Sequence, residues 1–172
     1  MADIDKNVDE LLLYKKELLN EVMIGAEASQ LFSETTFLET VTDMLASVGA
    51  LDNVELQQYR NKNKGMRIDG FAYNPLEGIL TGIVVKFSND LEELTTITKA
   101  EIEALGKQTA KFIENIHNEK FISSLALTDP GRQIAASISD TLSYIDPKTK
   151  EKNKFDKFRV IIITDCILSD RI

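Results

Sequence analysis

The chain has 172 residues, 43% of them hydrophobic and 28% charged, with a formal net charge of −8. That balance supports one packed domain and excludes wholesale disorder, while the acidic surplus counts against a general nucleic-acid binder, which carries a basic footprint. No run approaches the ~20 apolar residues of a membrane span, the charged stretch MADIDKNVDELLLYKKELL lacks the apolar core of a secretory signal, and the one cysteine, Cys166, suits a reducing compartment. A cytoplasmic protein with no membrane partner is expected.

Apolar residues at Val8, Leu11, Leu12, Leu18, Leu19, Val22 and Met23 recur at helical spacing and predict a first helix. A second follows, with Ser33 as its N-cap, Phe37, Leu38, Val41, Leu45 and Val48 on one stripe, and Gly49 as the stop. The pattern then changes period. Val54 and Leu56 alternate with Glu55 and Gln57, which predicts a strand over 54–60, and Asn61 to Gly65 is a polar turn. MRIDGFAY over 66–73 is a second strand, 74–78 a second turn, and ILTGIVVKFS over 79–88 a third strand, apolar enough to be buried on both faces. Together they predict an antiparallel three-strand meander.

Helices return at Thr98, which forms a capping box with Glu101 ahead of the stripe Ile102, Leu105, Phe112, Ile113 and Ile116. Asp129-Pro130 opens another helix, as a cap followed by proline at the first helical position, with Ile134, Ile138, Leu142 and Ile145 on its apolar face. A lysine-rich loop over 147–157 leads to FRVIIITD, a strand over 158–165. The class is α/β in the α+β sense: an αβββαβ core with a helical front over residues 1–50 and a further helix before the last strand. The chain stops soon after that strand, at Leu168-Ser169-Asp170-Arg171-Ile172, where a helix or polar tail is more usual. It is therefore expected to be the N-terminal domain of a longer protein.

Asp69 stands inside an otherwise half-buried strand and calls for a partner: a hydrogen-bonding or arginine neighbour, with Arg60 and Arg67 the candidates, or a metal ion. Basic residues gather at Arg60, Lys62, Lys64 and Arg67, just before it, and again at Lys148, Lys150, Lys152, Lys154, Lys157 and Arg159. A solvated hairpin and a solvated loop account for both groups; the first is also the candidate nucleic-acid contact. His117, the single histidine, falls near a predicted helix C-terminus, where it suits the dipole, and Cys166 beside a buried strand reads as an inert core thiol.

The order αβββαβ resembles that of the restriction-endonuclease-like fold. At the level of motif the chain resembles the N-terminal region of the AIPR family, the abortive-infection phage-resistance proteins of bacteria. The residues that carry this are Phe37-Leu38-Glu39, the stretch from Lys64 through Arg67-Ile68-Asp69-Gly70-Phe71-Ala72, the segment from Leu94-Thr95 to Glu101, and Leu-Ser-Asp-Arg at 168–171. They run from about residue 37 to the C-terminus, each is short, and their order and spacing carry the likeness. Membership implies a role in defence against phage, with effector parts in a C-terminal portion outside this chain.

Nucleases of that fold hold one or two Mg²⁺ ions on carboxylates beside a lysine. The resemblance implies Asp69 as the first metal ligand, at the end of the second strand, with Gly70 letting a backbone or ligand come close, and Lys86 as the lysine of the third. Two residues before Lys86, where an acidic ligand belongs on the same strand face, stands Val84, and the pattern is broken there. Glu101, or secondarily Glu103, could supply the missing carboxylate from the following helix, and Glu39 an outer one. Each has a plainer role: Lys86 snorkelling at a strand end, Glu101 as capping-box partner, Glu39 on a solvent-facing helix surface. The expectation is a nuclease-like module that is not an efficient nuclease by itself and serves assembly, or docking of nucleic acid or another partner, a second copy of the chain included. The alternative is an active Mg²⁺-dependent endonuclease with a rearranged carboxylate set.

Overall fold

The computed structural model of the chain describes residues 2–26, 33–88, 90 and 92–169, with the side chains of 2–6, 21–26 and 33 outside the description. The expected cap at Ser33, the apolar side chains of Val22 and Met23, and the Asp170-Arg171 end of the last motif therefore lie outside the described residues. Helices α1 (Ala2–Ala26) and α2 (Ser33–Ser47) come first, followed by strands β1 (Tyr59–Asn61), β2 (Met66–Ile68), β3 (Gly70–Asn74) and β4 (Ile79–Lys86). After β5 (Thr96–Ile97) come α3 (Lys99–Glu114), α4 (Glu119–Ser124) and α5 (Pro130–Ser143), then β6 (Lys157–Thr164) and β7 (Ile167–Leu168).

The central sheet has the order β3-β4-β6. β3 runs antiparallel to β4, with Gly70 opposite Ile83 and Asn74 opposite Ile79, and β6 runs parallel to β4, with Lys86 opposite Thr164. The parallel pair is joined through α3, α4 and α5, as a parallel connection requires a crossover. This is a mixed α+β architecture. β4 is central and buried on both faces, and its alternation sorts the core into two layers. Ile83 and Val85 pack with Leu19 of α1 and Phe37 and Leu38 of α2. On the other face Val84 meets Ile97 and Leu105, while Leu80 joins Phe112, Ile134 and Ile138 of α3 and α5. Each such side chain contributes about 1.5–3 kcal/mol of burial.

The caps read from sequence form as expected. Thr98 and Glu101 make a reciprocal capping box, and Asp129 accepts from the Gly131 N–H with Pro130 at the start of α5. The apolar stripes run past their helices: Val48 is 76% exposed and Ile145 55%, each beyond the last turn. α4 is an addition to the sequence reading, a short helix capped by Asn118 and anchored by Phe121.

The meander differs from expectation in two places. The 54–60 stretch is not one strand: Glu55 makes an isolated bridge to Phe71, and regular pairing begins only at Tyr59. The 66–73 run is cut at Asp69 into β2, which pairs with β1 as a separate hairpin, and β3, which belongs to the central sheet. The Asp69 N–H donates to the Ile83 carbonyl at 2.9 Å while Gly70 is in register with that same residue. Two residues thus oppose one, the count of a β-bulge, which turns the strand and re-aims a side chain. What comes close to Gly70 is the Glu55–Leu56 segment, backbone and side chain together: a Cβ there would sit 2.9 Å from the Glu55 carbonyl oxygen and 2.7 Å from Leu56 Cδ2.

Candidate functional site

The bulge swings the Asp69 carboxylate into the sheet, where it is wholly buried and accepts the Val85 N–H on Oδ2 at 2.8 Å. The carboxylate stands where a neighbouring strand would offer a carbonyl. Two guanidiniums close the rest of it. Arg60 approaches Oδ1 with Nε at 3.0 Å and Nη2 at 2.9 Å, and Arg67 approaches Oδ2 with Nε at 3.2 Å and Nη2 at 3.1 Å. The arginines are register partners across the β1–β2 hairpin, a placement in which like charges repel; the carboxylate between them turns that repulsion into attraction. Arg67 Nη2 also donates to the Val85 carbonyl, and Arg60 Nη2 to Glu34 Oε1 of α2 at 2.6 Å. Thr109 of α3 steadies the backbone by donating its hydroxyl to the Arg67 carbonyl at 2.8 Å. Burial works against the Arg60 charge, yet the Asp69 and Glu34 carboxylates outweigh it and raise the Arg60 pKa above its ordinary value.

The other expected site residues lie elsewhere. Lys86 pairs with Glu101 at the surface, with Nζ and Oε1 4.0 Å apart and the side chains 42% and 47% exposed. Glu101 spends its other oxygen on the Thr98 N–H at 2.8 Å. That bond, then the Thr98 hydroxyl and the nearby Lys86 charge, hold its carboxyl below the usual value. Glu103 sits 3.9 Å from Lys99 on the exposed surface, and Glu39 is exposed on α2. Val84 is fully buried. No ion pair joins Asp69 to Lys86, and no three metal-ligating side chains gather in one place, among the described residues. Mg²⁺ does not fit this arrangement: both Asp69 oxygens already receive donors, and Val84, two residues before Lys86, is apolar and fully buried.

The basic residues are divided. Arg60, Lys62 and Arg67 line a cavity of about 190 Å³ between the β1–β2 hairpin and α3, together with Asn61, Met66, Leu105 and Gln108. Lys64 turns away, donating to Ser124 Oγ at 2.9 Å with its ammonium 5.0 Å from the Phe121 ring centre. In the second basic group Arg159 is held to Thr81 Oγ1 at 2.8 Å and to the Ala50 carbonyl at 3.1 Å. His117 is exposed just past α3, and Cys166 is half-buried against the Val84 cluster.

One polar cluster escaped the sequence reading. Lys15 of α1, only 5% exposed, donates to the Glu93 carbonyl at 3.0 Å and Ser88 Oγ at 3.3 Å, with Asp165 Oδ2 at 3.7 Å. Asp165 accepts the Ser88 N–H at 2.7 Å and its hydroxyl at 2.5 Å. The network ties α1 to the C-terminal ends of β4 and β6. Its signal was a lysine at position 15 on the face of α1 that also carries Leu11, Leu12 and Leu19.

No curated protein and no solved structure matches the chain. A family model does match, over residues 37–172, and so takes in every described strand, α2 from Phe37 onward, and α3, α4 and α5. The chain belongs to the family of abortive infection phage resistance protein N-terminal domains.

Proposed function

We propose that this phage-resistance domain is a nuclease-like module, built on a restriction-endonuclease-like core, that docks nucleic acid through Arg60, Lys62 and Arg67 without cutting it efficiently. The observation that carries the reading is the closure of Asp69 by two guanidiniums. The carboxylate in the position of a first metal ligand is used to hold cations, and those cations line the neighbouring cavity. The parallel β4–β6 pair flanking an antiparallel β3–β4 hairpin supports the core assignment. Family membership supports a working context in which the domain is joined to the remainder of a defence protein.

The test is calorimetry with Mg²⁺ and Mn²⁺, with plasmid and RNA cleavage and oligonucleotide binding measured alongside, on the chain and on Lys86→Ala and Glu101→Gln. The reading expects strand binding without cutting. Metal binding and cleavage that both disappear in Lys86→Ala would establish instead a Mg²⁺-dependent endonuclease with rearranged carboxylates.

A further inference from the structure

The cavity beside Asp69 presents cations and hides the carboxylate that organises them. Arg60, Lys62 and Arg67 line it with the Gln108 carboxamide and an apolar wall at Leu105, and no carboxylate is among the lining residues. Asp69 lies behind the guanidiniums, fully buried. Each arginine spends Nε and Nη2 on the Asp69 carboxylate, with Arg60 also reaching Glu34 and Arg67 the Val85 carbonyl. Each leaves Nη1 without a partner among the described residues. A guanidinium fixed along one edge has already lost its rotamer freedom, so its remaining donors meet an anion at reduced entropic cost. Fork-shaped donors of this kind match the oxygens of phosphate.

Size narrows the ligand further. The space of about 190 Å³ falls below the roughly 300–1,000 Å³ of ordinary small-molecule sites. It is matched in scale to a phosphate group. A chain-internal phosphodiester carries a substituent on both sides, whereas a terminal phosphate enters end-on and brings a second negative charge. We propose that this cavity is a metal-independent site for a terminal phosphate monoester, carried by the end of a nucleic-acid strand or by a free nucleotide. This deepens the docking reading above and rests on it.

The experiment uses the whole chain in EDTA and measures fluorescence anisotropy of short single-stranded oligonucleotides, as DNA and as RNA, with a 5′ phosphate, a 3′ phosphate or neither. A nucleoside monophosphate serves as competitor. We expect one phosphorylated end to bind about tenfold more tightly than the hydroxyl end, the scale of one charge-assisted contact. Gln108→Leu, in the cavity lining, should remove that preference while leaving the hydroxyl strand nearly unaffected, whereas Lys62→Ala, on an exposed turn, should weaken every strand and the phosphorylated one most. Binding of the monophosphate measured directly by calorimetry, with no strand bound, would assign the site to free nucleotides and overturn the docking reading. Equal binding of all three ends, weakened alike by Lys62→Ala, would keep docking and overturn the terminal-phosphate site. A preference that appears only with Mg²⁺ would overturn its metal independence.

Discussion

Replacing Asp69 by alanine removes the anion that two guanidiniums and the Val85 N–H share. Arg67 is 19% exposed and Arg60 38% exposed, so Arg67 loses a largely desolvated partner while water takes over part of the loss at Arg60. Breaking a buried pair on one side costs about 3–5 kcal/mol, and an orphaned buried N–H about 1–3 kcal/mol. With the solvent share discounted, the change should cost about 3 kcal/mol, a large fraction of the roughly 5–15 kcal/mol typical of a domain. For a urea slope of about 2 kcal/mol per molar, the unfolding midpoint then falls by roughly 1.5 M with the slope unchanged. Asp69→Ala combined with Arg67→Met should recover about 1 kcal/mol or more, because the stranded charge goes too. A midpoint shift below about 0.3 M in the single variant would refute the view that the carboxylate anchors the hairpin to the sheet.

Elsewhere the structure sets opposing effects against one another. Gly131→Ala should gain roughly 1 kcal/mol of helix propensity, but its Cβ would lie 2.6 Å from Tyr59 Cδ2; a net loss of about 1–2 kcal/mol is expected by thermal unfolding, and a gain would mean that the ring moves freely. Asp165→Ala and Lys15→Met each leave the other charge buried with two neutral partners, the Glu93 carbonyl and Ser88 Oγ for Lys15 and the two Ser88 donors for Asp165, so each should cost about 3 kcal/mol and the double variant less than their sum; additive costs in urea titrations would contradict the coupling. Glu101 is held below the ordinary carboxylate value, first by the Thr98 N–H. Its contribution is therefore fully present above its unfolded value of about 4.3 and is lost as pH falls through the lower folded value. The stability difference between the chain and Glu101→Gln should be constant near neutrality and shrink only in that acid window; a difference independent of pH would refute the linkage.

Local chemistry sufficed for much of this protein. The 3.6-residue stripes of α2, α3 and α5, the Thr98–Glu101 and Asp129–Pro130 starts, and the double-sided burial of β4 all follow from side chains within a few positions of one another. So do the short motifs that resemble the family to which the chain belongs. The sequence also marked Asp69 as a carboxylate in need of a partner and named Arg60 and Arg67 as candidates. It could not choose between arginine and metal, because that depends on which atoms the bulge at Asp69–Gly70 brings to the carboxylate. Nor could it show that Lys62 joins the arginines at one cavity while Lys64 turns to Ser124, or that Lys86 meets Glu101 and not Asp69. The hydrogen bonds linking Lys15, Ser88, Glu93 and Asp165 join residues 73 to 78 positions apart, beyond the reach of any local pattern. Periodicity and capping are properties of neighbouring residues, so sequence alone determined the main helices and β4, but not where the strand run breaks at Asp69 or where pairing begins at Tyr59. The partners of buried charges depend on how those elements pack, and only the tertiary structure decided them.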